Sequence, residues 1–440
     1  MNGDVLHVWY QDRLIGRLTD REVGSGFEFA YDPTWVVGGF RLSASLPLQI
    51  EPFAPDAPGT RFFGNLVPEG NQRDRWVREL RIADNDFSLL RALGRDCAGA
   101  FSILPNDAEP DLARDYVRLS DEVLAGYCLR KGKPAAEEKT QVRFSLAGFQ
   151  EKLPVHEIDG EFYLPQGAAA SSLILKFEVP EYKNVPLYEA FLAELYRRTG
   201  AETCGAGYRA DSKAPYLVIT RFDRYASGDK VERLHQEDFC QALGFTRSQK
   251  YEAEKGPSFA DCVTLLRKES SAPVVDIDRV TKWLVLNILA GNSDGHAKNL
   301  ALLQAADNQN QWRLAPFYDI VCTGAFERHE TKIAFHVGGQ DDPENITRSN
   351  WDEESIRCGL RRGTLAGLAG ELAAKLPGIA KDLRAEFEKS HQHAAALQRV
   401  TAVVEQRCRR VLHGLEQGNV AKAKPSQDAV PPPSNDPFSG

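Results

Sequence analysis

Leu289-Ala290-Gly291-Asn292-Ser293-Asp294-Gly295-His296-Ala297-Lys298-Asn299 follows an apolar helical pattern and sets a carboxylate, Asp294, five residues ahead of a neutral oxygen ligand, Asn299. Phosphoryl transfer needs such a pair: a carboxylate to orient the attacking hydroxyl and take its proton, and an amide oxygen at D-x-x-x-x-N spacing for magnesium. Twenty residues beyond Asn299, Ala315-Pro316-Phe317-Tyr318-Asp319-Ile320 carries a second carboxylate after an apolar run, the place for a second magnesium ligand. Magnesium takes few protein oxygens and completes its shell with phosphates and water, so Asn299 and Asp319 suffice. Lys176 lies in the strand pattern Leu173-Ile174-Leu175-Lys176-Phe177, where a buried lysine is costly unless an anion meets it. A kinase places a strand lysine on the α/β-phosphates and holds it with a helix glutamate. Glu189, thirteen residues later in the next helix, fits that part. Strand lysine, helix glutamate, D-x4-N loop and second aspartate is the order of parts along a kinase chain.

Upstream, Ser145-Leu146-Ala147-Gly148-Phe149-Gln150-Glu151-Lys152 stands between strand candidates where a phosphate loop belongs, although its single glycine matches neither G-x-G-x-x-G nor Walker A. Ile219-Thr220-Arg221-Phe222-Asp223-Arg224 follows a buried strand and suits an adenine-binding hinge. Gly205-Ala206-Gly207-Tyr208-Arg209-Ala210 fits G-x-G-x-x-A but follows a helix and opens none, so it is not a dinucleotide site. His391-Gln392-His393 has no further ligands nearby and reads as a solvated helix face.

The elements that must position these groups divide the 440 residues into parts. Residues 1–105 form a small α+β subdomain, with strands around Val5–Tyr10, Arg13–Leu18 and Phe27–Tyr31 and helical spacing between Gly59 and Leu93. Residues 106–140 are polar and read as a connector. Residues 141–225 hold strand candidates at Gln141–Ser145, Lys152–Ile158, Glu161–Leu164, Leu173–Phe177 and Tyr216–Thr220, with one helix opening at Pro186 and stopping at Gly200. Residues 226–417 are mostly helical, with a helix from about Ile277 to Leu289 and two or three more between Trp351 and Leu415. The Pro-rich 418–440 tail has no apolar period and is expected to be disordered.

Composition is consistent with this plan. Hydrophobic residues make up 42% and charged residues 26%, ordinary for a folded chain. The net charge of −8 argues against a surface that grips nucleic acid throughout. The eight cysteines show no C-x-x-C or zinc-site spacing and read as reduced, mostly buried thiols. No signal peptide or bilayer-length apolar run is present, which points to a cytoplasmic enzyme without membrane contact.

The motifs taken together resemble the HipA family of serine/threonine kinases, toxins of bacterial HipBA-type toxin–antitoxin modules. The matching stretches are Phe63–Gly70, Leu93–Ala100, Phe144–Lys152, Ile219–Arg224, Ser293–Asn299 and Pro316–Ile320, in family order across about residues 5–410. The resemblance implies a protein-kinase-like two-lobed α+β fold with a small N-terminal α+β subdomain, and ATP and Mg2+ as cofactors. It implies Asp294 as catalytic base, with Asn299 and Asp319 on the metal. Ala147, Gly148, Phe149, Gln150, Glu151, Lys152 and Lys176 would hold phosphates, supported by Glu189. Thr220, Arg221 and Phe222 would line the adenine site, and His296, Lys298 and Tyr318 would complete the nucleotide set. Ser145 occupies the position of inhibitory autophosphorylation. The implied partners are a helix-turn-helix antitoxin, operator DNA indirectly through it, and a protein substrate of the aminoacyl-tRNA synthetase or translation-factor class. Phe149 departs from the small residue common there. Two rivals are a small-molecule phosphotransferase, since Asp294-Gly295-His296 with Asn299 also resembles the loop of antibiotic and choline kinases, and a corepressor whose kinase site is vestigial.

Overall fold

The structure, a computed structural model, describes residues 4–20, 26–134, 150–210, 214–227, 230–327, 331–391 and 394–420. The expected strand Gln141–Ser145, the loop positions Ser145, Ala147, Gly148 and Phe149, residues 392–393 and most of the 418–440 tail lie outside them.

The chain opens with β1 (Asp4–Tyr10), β2 (Arg13–Asp20) and β3 (Glu28–Tyr31), antiparallel neighbours whose alternating apolar residues face one core. Short α1 (Pro33–Gly38) is capped by Asp32, whose side chain accepts from the Thr34 N–H. The helical stretch expected across 59–93 forms three helices, α2 (Pro58–Gly64), α3 (Gly70–Leu80) and α4 (Asp86–Leu93). Pro68 separates the first two, and the Asn85 cap restarts the third. β4 (Ser102–Pro105) returns to pair with β1, giving the order β3-β2-β1-β4 around a core that includes Phe29, Phe62, Phe63 and Leu90.

The segment read as a connector is not one. It carries β5 (Arg114–Arg118) and α5 (Asp121–Leu129, capped by Ser120). β5 pairs with β7 at the edge of the next sheet, largely exposed and with few apolar residues, so its polar sequence reads as loop and only pairing makes it a strand. β6 (Lys152–Ile158), β7 (Glu161–Gly167), β8 (Leu173–Phe177), α6 (Val185–Arg198), β9 (Ala206–Arg209) and β10 (Tyr216–Thr220) complete this lobe. Its antiparallel sheet runs β5-β7-β6-β8-β10-β9. The rejected Gly205–Ala210 motif lies at its edge, as β9.

The last lobe is helical with small sheets that the sequence did not announce. A hairpin of β11 (Arg224–Ser227) and β12 (Lys230–Arg233) leads to β13 (Gln236–Asp238), α7 (Phe239–Leu243), α8 (Phe259–Glu269) and α9 (Pro273–Ala290). α9 starts at Pro273, a turn earlier than the periodicity suggests. β14 (Ala301–Gln304) pairs with β13 on one side and with β15 (Trp312–Leu314) on the other, and α10 (Arg348–Arg357), α11 (Thr364–Ser390) and α12 (Leu397–Val420) pack behind. His391 caps the end of α11 and packs edge-on against Tyr208, with ring centroids 5.2 Å apart, instead of lying on a solvated face. All eight cysteines are buried and free. Among the described residues, no helix is long and apolar enough to cross a membrane.

Candidate active site

The loop that follows α9 is set by its backbone. Gly291 closes the helix at φ +67, a left-handed conformation, and a Cβ there would lie 2.5 Å from Val403 Cγ1. Asn287 on the last turn of α9 accepts from Tyr196 Oη (2.9 Å) and from Asn292 Nδ2 (2.9 Å), while Asn292 Oδ1 accepts the Asp294 N–H (3.2 Å). Gly295 passes so close to Asn287 that a Cβ would meet its amide at 2.5 Å. Asn299 Nδ2 donates to the Asp294 carbonyl (2.8 Å), which turns the loop back on itself and leaves the Asn299 amide oxygen directed away from that bond. The D-x4-N spacing is therefore one closed turn.

Opposite stands the strand side. Lys176 on β8 donates to Glu189 Oε1 of α6 and to Asp319 Oδ1, each at 2.6 Å. Burial alone would lower the lysine's pKa, but Asp319 and Glu189 reverse this and hold it above the ordinary value. The Asp319 carboxyl is held well below the usual range, since Lys176 and Lys152 outweigh its burial. Asp319 has φ +58, an uncommon conformation for a residue with a side chain and one that concentrates at functional sites. The β6–β8 register puts Lys152 directly across from Lys176. Like charges at opposed positions repel, and Asp319 and Glu189 offset the two lysines that stand on neighbouring strands beside this cleft.

One cleft of ≈ 210 Å³ gathers Lys152, Lys176, Glu189, Asp294, Asn299 and Asp319, together with Thr220, Phe222, His296, Lys298 and Tyr318. Phe222 and Tyr318 stack with centroids 5.3 Å apart and form an apolar wall. His296 Nε2 is 3.6 Å from Asp294, and burial lowers the imidazole's pKa to about 3, so it is neutral. Enclosure pushes the Asp294 pKa above the ordinary carboxylate value, with the Tyr251 hydroxyl opposing, and that hydroxyl donates directly to Asp294 Oδ1.

Three expected site residues have side chains committed elsewhere. The Arg221 guanidinium is buried in a bidentate pair with Asp223 (2.9 and 2.7 Å) and bonds Ser171, so only its backbone is left to face a nucleotide. Gln150 donates to the Phe177 carbonyl (2.7 Å). Glu151 takes a bidentate bond from Arg75 of α3 (3.0 and 2.8 Å), which ties the base of the phosphate-loop segment to the N-terminal region.

Several residues in the site have no local signature. Lys298 Nζ donates to the carbonyl and Oδ1 of Asn65 (3.1 and 2.9 Å) and lies 3.4 Å from Glu69 and 3.5 Å from Asp238. Asn65, Leu66, Glu69 and Ala98 from the first 105 residues thus line the cleft. The only hint in sequence is that Asn65 and Glu69 fall in the Phe63–Gly70 stretch. Tyr251 gave none.

The donor set suits magnesium: Asp319 has one oxygen on Lys176 and a side chain 38% exposed, and the Asn299 amide oxygen, from a residue lining the same cleft, would be a neutral ligand.

Two family models match the chain in series, the HipA N-terminal domain over residues 6–104 and the HipA-like C-terminal domain over residues 144–380. Y4mE of Sinorhizobium fredii is 34% identical over 399 residues, 86% of this chain and 92% of its own. The chain belongs to the HipA family. The serine/threonine-protein kinase toxin HipA of Shewanella oneidensis is 28% identical to this HipA chain over 393 residues, covering 83% of one and 86% of the other. The structure of the Shewanella oneidensis HipA, solved with HipB and its operator DNA, matches with a TM-score of 0.79 at 26% identity, covering 94% of this chain and 98% of that one. This HipA chain is a serine/threonine protein kinase with a kinase-like α+β fold.

Proposed function

We propose that this HipA protein is the toxin of a toxin–antitoxin module, a cytoplasmic kinase that transfers the ATP γ-phosphoryl group to a protein of the translation machinery, of aminoacyl-tRNA synthetase class, and so arrests growth. The observation that carries the catalytic part is the opposition of Lys152 and Lys176 across one cleft from Asp294, Asn299 and Asp319. Lys176, held by Glu189, and Lys152 receive the phosphates, and Phe222 and Tyr318 flank the base. Asp294 orients the substrate hydroxyl and takes its proton. Asn299 and Asp319 would hold Mg2+, which supplies charge neutralisation on the phosphates.

A helix-turn-helix antitoxin of HipB type is the proposed partner, with operator DNA reached through it; the Shewanella HipA was solved in a complex with HipB and operator DNA. The acidic chain, at −8, suits a basic DNA-bound partner. Ser145 is the proposed autophosphorylation site, where two added negative charges beside the ATP phosphates would silence the enzyme. Incubation with γ-labelled ATP followed by peptide mapping tests both roles. Label on Ser145 that vanishes in Asp294→Asn supports them, and label confined to an added aminoglycoside overturns the protein-kinase toxin reading.

A further inference from the structure

Asp294 sits where two cavities meet. The nucleotide cleft lies on one side, and on the other is a second cavity of ≈ 430 Å³ that, among the described residues, shares only Gln150, Asp294 and Asp319 with it. Its walls include Tyr182, Val185, Val321, Phe326 and Ile333, and Lys332 is paired to Asp341 at 2.7 Å beside them. Tyr251 also lines this second cavity and not the nucleotide cleft. Its ring is held edge-on to His296, with centroids 5.1 Å apart, and its hydroxyl donates to Asp294 Oδ1. A hydroxyl that lines the second cavity and donates to the proposed base occupies the place of an acceptor hydroxyl.

We propose that the second cavity is the phosphoacceptor site, taking a serine- or threonine-bearing segment with apolar neighbours, and that Tyr251 is a pseudo-substrate gate whose phenol fills the acceptor position until that segment displaces it. The proposal rests on Asp294 being the catalytic base. With the gate displaced, the acceptor oxygen bonds to the γ-phosphorus as the bond from that phosphorus to the β,γ-bridging oxygen breaks. ADP leaves with that electron pair, and the hydroxyl proton passes to Asp294. Tyr251→Phe keeps the ring on His296 and removes only the competing hydroxyl.

The full-length parent, Tyr251→Phe and Asp294→Asn are compared for ADP release without acceptor, for phosphorylation of N-acetylserinamide, and for ATP affinity. The gate predicts that Tyr251→Phe raises both rates about tenfold, the scale of losing one charge-assisted hydrogen bond, with ATP affinity unchanged. Rates at or below the parent in a folded Tyr251→Phe protein, with Asp294→Asn inactive, overturn the gate and make Tyr251 a positioning residue for Asp294. An active Asp294→Asn protein instead overturns the base assignment on which the gate depends.

Discussion

Asp294 takes a proton in the proposed transfer, so Asp294→Asn keeps the loop's shape and removes the acceptor of that proton. Phosphotransfer should fall by about 10²–10⁴ while ATP still binds, measured by single-turnover kinetics and nucleotide titration. Lys176→Met is different in kind. It leaves the buried Glu189 and Asp319 with only the Lys152 ammonium near them, and urea unfolding should register a loss of about 3 kcal/mol. An unchanged midpoint would mean that the pair contributes nothing to the fold. Lys176 was legible because a charge in an apolar strand is costly without a task, Asp294 and Asn299 from their D-x4-N spacing, and Glu189 and Asp319 from their order along the chain. Tyr251 and Asn65 were not. Their roles arise from approaches to residues 43 and 233 positions away, which no local pattern encodes.

At the scale of elements, the turn from α9 into the active-site loop depends on Gly291. Alanine there meets both a left-handed φ and Val403. Gly291→Ala should cost at least about 1 kcal/mol and lower phosphotransfer by displacing Asp294, with thermal melting and steady-state rates as the readouts. β13 and the residue before it contribute a pH dependence. Glu237, pushed up to about 8 by burial with the hydrogen bonds from Ser43 and Ala44 opposing, holds its proton more tightly folded than unfolded. Its contribution is complete below 4.5 and is lost as pH rises through about 8. His235, lowered to about 4 by burial, has the opposite sign: its contribution is complete above 6.5 and is lost as pH falls through about 4. Melting temperature should therefore be highest between pH 4.5 and 6.5, where the two opposite slopes cancel. Glu237→Gln should flatten the alkaline limb and leave the acid limb. The apolar runs of β8 and β10 and the Pro-start, Gly-stop helix α6 were readable in sequence. β5 and β13 are too polar to declare themselves and β14 and β15 too short, and β5 and β13 exist through pairing with strands distant in sequence.

The whole molecule is built so that its first hundred residues belong to the cleft. Glu237 accepts from Ser43 and from the Ala44 N–H (3.1 Å), Gln241 donates to the Phe62 carbonyl (3.0 Å), and Arg247 pairs with Asp86 (2.6 Å). With Lys298 on Asn65 and Arg75 on Glu151, these contacts reach the active-site loop and the end of the phosphate loop. Deleting residues 1–105 should therefore give an inactive, aggregation-prone fragment, scored by sedimentation and ADP release, because it leaves Lys298, Glu237 and Arg247 without these partners. A soluble, active fragment would show that the N-terminal region is a passenger. Because the cleft takes residues from Asn65 through Asp319, it also has a timing. No nascent chain that ends before Asp319 contains the whole set, so a kinase proposed to halt translation cannot act on behalf of a half-made copy of itself. The ribosome making it has joined every residue from Asn65 to Asp319 before the set is complete.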